Sequence, residues 1–233
     1  MTMTWRGTQA ESRARYLQNF DADDVARYER WVVQLTENDL QACRSDIATE
    51  FTFRAGMSVL DVGAGTGAMC KILAQIQGLK ITALEPSNRM LDCFRAKKEL
   101  RGISIVAGFC DSYDDQSHFS ANSFDAIVSR QLVNSLFDPL AAFRNWLYWL
   151  KPGGAVIMID GIYDRDAWQG SLQTEVDALP LSACRTMATA PYLMESVGLQ
   201  IQAVKWMEAT NQMPSTRTKR YMVVAVKRKE LQS

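Results

Sequence analysis

Apolar residues change their rhythm near residue 57. Before it, Val25, Tyr28, Val32 and Leu35 recur at spacings of three and four, and Leu40, Cys43, Ile47 and Phe51 repeat the pattern. Such a stripe is the core-facing side of an amphipathic helix, so the spacing predicts two helices within a helical N-terminal segment, 1–55, placed to act as a lid. Thr36 followed three residues later by Asp39 predicts a capping box at the start of the second helix.

From residue 57 the apolar residues gather into short, nearly continuous runs: 57–62, 80–84, 103–106, 124–129 and 155–160. Strands buried on both faces read this way, and the intervals between them leave room for crossover helices. Met69, Ile72, Leu73 and Ile76, then Met90, Leu91 and Phe94, then Leu140, Phe143, Leu147 and Leu150 supply the helical faces. Residues 160–188 carry no clear period, which marks a functional insert. A helix from Thr189-Ala190-Pro191 to Gly198 and two further runs, 199–206 and 221–226, complete the chain. The expectation is an α/β fold in one domain, 56–233: a mostly parallel seven-stranded sheet with helices on both faces and an antiparallel edge strand.

The first strand runs into Asp61-Val62-Gly63-Ala64-Gly65-Thr66-Gly67. Glycines there let a ligand approach the backbone, and the following helix start offers unpaired N–H groups. Gly63, Gly65 and Ala68 also meet the dinucleotide fingerprint, with Glu85 closing the second strand, so a nicotinamide-dependent dehydrogenase is the first rival reading.

Three more motifs separate the two. Leu84-Glu85-Pro86-Ser87, Ser123-Phe124-Asp125-Ala126 and Leu150-Lys151-Pro152-Gly153-Gly154 follow the glycine loop in order, and the four together resemble the class I S-adenosylmethionine (SAM)-dependent methyltransferases, whose fold is Rossmann-like. The resemblance covers roughly residues 57–226. It implies that SAM is the cofactor and S-adenosylhomocysteine the product. It further implies that Asp61, Gly63, Ala64, Gly65 and Gly67 cradle the methionyl part and that Glu85 takes the ribose hydroxyls, beside Pro86. Met90 would flank the adenine or serve the core. After the third strand the chain reads Gly108-Phe109-Cys110-Asp111 where such enzymes often show Gly-Asp, so Asp111 is the substitute for the adenine contact and Phe109 a stacking partner. Ser129 and Arg130, ending the fourth strand, complete the cofactor set. An aromatic of the N-terminal segment would reach the SAM carboxylate, Tyr16 or Tyr28, with Trp31 a further lid aromatic.

Composition narrows the acceptor. Lysine plus arginine equals aspartate plus glutamate at 26 each, which offers no long-range attraction to nucleic acid or to an anionic membrane. The basic C-terminal residues Arg217, Lys219, Arg220, Lys227, Arg228 and Lys229 read as the solvated face of an edge strand. Five cysteines without a Cys-x-x-Cys pair fit a reducing cytoplasm, and there is no leader-like or membrane-spanning run. The single histidine, His118, sits in a polar loop and reads as exposed, so a histidine base for alcohol methylation is not expected, nor is a metal site. The insert leans acidic, with Asp160, Asp164, Asp166, Glu175 and Asp177. These features point to a small-molecule acceptor, an amine or guanidine, with Asn134, Asp160 and Tyr163 as catalytic residues and Trp168 walling the pocket. O- or C-methylation of a carboxylate, phenol or quinone-like acceptor is the alternative. A SAM-binding protein without turnover is the reading from another class.

Overall fold

The computed structural model describes residues 5–19, 22–33, 35–167, 176 and 179–229. Three helices come first: α1 (Trp5–Asn19), α2 (Ala22–Val33) and α3 (Glu37–Ala48). Leu35 and Phe51, assigned to helical stripes from spacing, fall just outside α2 and α3. The break between them is set by Thr36. Its side chain accepts from Asp39 N at 3.3 Å while Asp39 Oδ2 takes the Thr36 backbone N–H at 2.6 Å, the reciprocal capping box expected.

The sheet then builds through β1 (Ser58–Val62), α4 (Ala68–Ala74), β2 (Lys80–Glu85), α5 (Asn88–Ala96), β3 (Ser104–Ala107), β4 (Phe124–Arg130), α6 (Pro139–Trp149) and β5 (Leu150–Gly161). It closes with α7 (Thr189–Ser196), β6 (Leu199–Trp206), α8 (Glu208–Asn211) and β7 (Arg220–Lys227). The strand order is β3-β2-β1-β4-β5-β7-β6. β1 to β5 run parallel, and β7 lies antiparallel to both β5 and β6. The reversed strand is thus one position in from the edge, and β6 is the edge. For that reason the basic run before β7 is not uniformly solvated: Arg220 is only 9% exposed.

Both faces of the sheet are covered. On one, Leu40, Cys43 and Ile47 of α3 join Met69, Ile72 and Leu73 of α4 against Val59, Val128 and Ile157. On the other, Phe143, Trp146 and Trp149 of α6 and Met194 of α7 pack on Leu60, Ile127, Val156 and Val223. α3 is therefore core rather than lid, and Asp46 on it caps α8 by accepting from Ala209 N at 3.0 Å and Thr210 N at 2.8 Å. The buried face of α6 is rotated from the spacing-based one. Its tryptophans fill the core, and Leu147 is only half-buried.

The β3-to-β4 crossover holds no α-helix, only a 3-10 turn at Asp114–His118. Side chains of α6 substitute for one by pinning the loop: Asn145 Nδ2 donates to Cys110 O (3.0 Å) and Ser112 O (2.7 Å), and Trp149 Nε1 to Gln116 O (2.9 Å). Among the described residues, no helix is long and apolar enough to cross a membrane.

Because the order turns back between β1 and β4, their carboxyl ends splay and leave a crevice, the place where open α/β sheets bind ligands. Gly67 fixes one wall of it as the N-cap of α4, at φ +96° with Phe94 2.9 Å from where a Cβ would sit. A Gly67→Ala variant should therefore lose about 1–3 kcal/mol of stability, read as a lowered midpoint in urea unfolding with an unchanged slope.

Candidate functional site

The crevice is organised around one carboxylate. Glu85 ends β2 and is 5% exposed. Its Oε2 accepts from Gly65 N at 3.0 Å and its Oε1 from Ser87 N at 2.9 Å, so it ties the glycine loop to the loop opening α5. Burial pushes its pKa up to about 7, against the pull of those two N–H groups. Each oxygen keeps a second lone pair, so a vicinal diol could still be received. Gly63 N and Ala64 N both donate to Leu84 O, at 2.9 and 3.1 Å, which folds the loop back over β2.

Asp61 lies one turn deeper, 1% exposed. Its Oδ2 accepts from the Cys70 thiol at 3.1 Å, whereas Oδ1 is buried without a partner among the described residues. Burial raises this carboxyl to about 7, the Cys70 thiol opposing and the nearby Glu85 charge adding. The Ser129 hydroxyl, on the neighbouring strand end, is likewise buried and unpartnered.

Helices α1 and α2 close over this crevice. Tyr16 meets the rings of Phe109 and Phe137 edge-on, each at 6.3 Å between centroids, and the Arg13 guanidinium lies 4.6 Å over Phe109. Tyr28 lies over Gly65 instead, its hydroxyl 3.6 Å from the place of a Cβ there, an ordinary contact; glycine is favoured at that position by its φ of +54°. The two tyrosines therefore serve different ends of the crevice, Tyr28 the glycine loop and Tyr16 the Phe109 side. Burial raises the pKa of both phenols, so they stay protonated. Met90 reaches up from α5 to pack with Val25, Tyr16 and Tyr28.

Asp111 holds the lid down. Its Oδ1 pairs with Arg13 and its Oδ2 accepts from Phe137 N at 2.6 Å, so its acceptor capacity goes to joining α1, the β3 loop and the segment before α6. Arg13 also pairs with Asp115 at 2.7 Å. Sequence spacing gave no sign of Arg13, Phe137 or Leu132. The last approaches within 2.7 Å of where a Gly63 Cβ would be. The enclosed cavity, lined by Tyr16, Gly63, Glu85, Pro86, Phe109 and Leu136 among others, holds only about 40 Å³. Small-molecule sites run from roughly 300 Å³ upward. Occupancy requires side chains such as Leu132 and Tyr16 to move aside.

The ends of β4 and β5 bring the remaining expected residues together. Asp160 is 2% exposed. Its Oδ1 accepts from Gly161 N at 2.7 Å and its Oδ2 from Asn134 N at 3.4 Å. Burial lifts its pKa to about 6, opposed first by the Gly161 N–H and then by the Arg220 charge. Tyr163 stands beside it, its hydroxyl taking hydrogen bonds from Gln131 Nε2 at 3.4 Å and from Arg220. Arg130 lines a second cavity on the α3 face of the sheet, and its charge also reaches Asp61 and Tyr28. His118, expected to be exposed, is a half-buried residue packed on Gly108, because the loop carrying it is drawn under α6. Asp164 is exposed and paired with Arg185 at 2.9 Å. Trp168, Glu175, Asp177 and the side chain of Trp31 lie outside the described residues.

Comparison with known proteins agrees with this geometry. A family model described as a methyltransferase domain matches residues 60–158, from β1 through β5. Those residues carry a methyltransferase domain. Phosphoethanolamine N-methyltransferase 1 of Arabidopsis thaliana is 29% identical over 150 residues, covering 63% of this chain and 30% of that protein. The ubiquinone biosynthesis O-methyltransferase of Xanthomonas axonopodis pv. citri is 30% identical over 104 residues, covering 45% and 43%. This chain thus spans less than half the length of either relative. Among solved structures, a SAM-dependent methyltransferase from Aquifex aeolicus superposes with a TM-score of 0.65 at 18% identity, over 89% of this chain and 98% of that one.

The donor set of the methyltransferase domain fits SAM. Glu85 offers two carboxylate oxygens to a diol, the orphaned Asp61 Oδ1 offers a buried acceptor to an ammonium, and the loop at Gly65 leaves no side chain in the way. The raised carboxyls, Asp111 among them, also set a pH signature. Glu85, Asp61 and Asp160 all have folded values above their unfolded ones, so the stability they contribute is full below about pH 4 and is lost as pH rises through 6 to 7. Ligand-free protein should melt several degrees lower at pH 8 than at pH 5.5, since about 1 kcal/mol moves the midpoint by ~2–4 °C at this size. SAM affinity should move the other way, rising through pH 7 as Glu85 ionises, and a Glu85→Gln variant should both weaken binding by roughly tenfold or more and flatten that rise. Calorimetric titration at several pH values checks both.

Proposed function

We propose that the protein transfers a methyl group from SAM to a nitrogen of a small-molecule acceptor bound at the carboxyl ends of β4 and β5, beneath a lid formed by α1 and α2. When bound, SAM supplies a methyl group already activated on a sulfonium. Displacement on such a carbon needs alignment and exclusion of water more than it needs a catalytic base.

The observation that carries the nitrogen assignment is the grouping of Asp160, Asn134 and Tyr163 where β5 ends. Asp160 is an acceptor-only group once ionised, with pKa near 6. It suits an amine, whose N–H groups it can orient and whose released proton it can take after the displacement. The phenols nearby are held protonated by burial, and His118 is packed outside the crevice on Gly108. An acceptor that brings its own lone pair is served by this set better than an alcohol that must first lose a proton. The relative named as a phosphoethanolamine N-methyltransferase supports the same reading. The O-methyltransferase likeness keeps oxygen as the second one.

Tyr28 takes the methionyl end of the cofactor and Tyr16 with Phe109 the adenine end. Cys43, Cys70 and Cys110 are buried free thiols, which suits a reducing compartment.

The test is methyl transfer to a panel of small amines, carboxylates and phenols, with S-adenosylhomocysteine release as the readout. Amines should be methylated, and Asp160→Asn should lower kcat/KM for them by about 10²-fold while SAM titrates normally. Methylation of carboxylates or phenols with every amine inert would remove the nitrogen assignment; no release with any acceptor would leave a SAM-binding protein.

A further inference from the structure

A second cavity opens on the other face of the sheet. α3, the ends of β4 and β5 and the segment from α8 to β7 enclose about 40 Å³, and its polar lining is Arg130, Arg220, Asp39, Thr210, Ser215 and Thr216. That is space for about three water molecules, enough for a tetrahedral oxyanion group and too little for a ring.

The charges in it do not balance. Asp39 is the one carboxylate on the lining. Its Oδ1 accepts from the Ser215 hydroxyl and its Oδ2 from both the backbone N–H and hydroxyl of Thr36, each at 2.6 Å. Neither arginine pairs with it. Arg220 is 9% exposed, donates to the Tyr163 hydroxyl and has no carboxylate within ion-pair distance among the described residues. Arg130 is half-buried and makes no hydrogen bond or ion pair among them. A guanidinium has five donors in a planar fork that matches phosphate and carboxylate oxygens. Two of them around one small cavity, with most of those donors unused by protein groups, is an arrangement that an anion would complete.

The position ties this cavity to the acceptor. Arg220 opposes Gly161 in the β5–β7 ladder and lies against Tyr163, whose neighbour Asp160 ends β5. Tyr28 lies over Gly65 of the glycine loop and feels the charges of both arginines. We infer that Arg130 and Arg220 form an oxyanion subsite, which grips a phosphate or carboxylate group carried by the acceptor while its reacting atom lies toward Asp160. This rests on the methyl-transfer reading only for the identity of the carrier.

Inorganic phosphate and acetate, titrated separately by calorimetry into wild-type protein saturated with S-adenosylhomocysteine, test it and tell the two anion classes apart. At least one should bind at millimolar concentration or tighter and raise the melting temperature, and Arg130→Gln and Arg220→Lys should each weaken that binding at least tenfold. The subsite is overturned if neither anion binds or if the variants bind as wild type does. It is also overturned if phosphate competes with S-adenosylhomocysteine, since the arginines would then receive the cofactor's own carboxylate. Failure of S-adenosylhomocysteine to bind would strike the methyl-transfer reading instead, and phosphate titration of the protein alone would still decide the subsite.

Discussion

Everything at the crevice depends on the buried carboxylate of Glu85 accepting one backbone N–H from each of the two loops that face each other there. A glycine-rich turn has little conformational preference of its own. What holds Gly65 is an interaction with the end of the next strand, so the β1–β2 register, Val62 against Leu84, sets the shape of the turn. The same residue is poised to receive a ligand. A carboxylate kept near neutrality by burial is stored destabilisation, and hydroxyl donors from a diol would relieve it. Structural and binding roles are thus one electrostatic arrangement.

Asp111 does for the lid what Glu85 does for the loop. It gathers Arg13 from α1 and the N–H of Phe137 from the segment before α6, while Arg13 covers the Phe109 ring. The two helices are fastened by the pairs of Arg13 with Asp111 and Asp115, the Lys97–Glu29 pair and a few edge-on aromatic contacts. That matters because the cavity beneath them, about 40 Å³, is smaller than a cofactor. Binding must exchange the contacts of Tyr16, Tyr28 and Leu132 for contacts with the ligand.

The sheet was legible because its signal is local and repeated. Each buried strand shows as an apolar run, each crossover as a helical stripe, and the four motifs fall at strand ends in order. The failures share a cause. The helix missing between β3 and β4 is replaced by side chains of α6 about thirty residues away, Asn145 and Trp149 holding the loop. No period in the loop itself reports that. Arg220 sits in a run of basic residues that reads as solvated, and it is buried only because β7 inserts between β5 and β6 instead of lying at the edge. Glu85 and the glycine loop were found from their motif, whereas Arg13, Leu132 and Phe137 became visible only once chain reversal brought them over the crevice.

Charge is where position changes the meaning of sequence most. Counted along the chain, the segment after β5 is acidic and the C-terminal segment basic, and both look like solvent-facing surface. In the fold, Asp164 and Arg185 neutralise each other at the surface, where such a pair is worth little. The charges with energetic weight are those drawn under cover: Asp160 at the end of β5, and Arg220 beside it with Arg130 one strand away. Opposite charges sit at adjoining points of the proposed acceptor site without joining in an ion pair. An amine alone would satisfy Asp160 and leave the arginines as they are; an anion alone would do the reverse. The two proposals therefore converge on one kind of molecule, a small zwitterion whose nitrogen meets Asp160 and whose phosphate or carboxylate meets the arginines, because only that leaves neither buried charge without its complement.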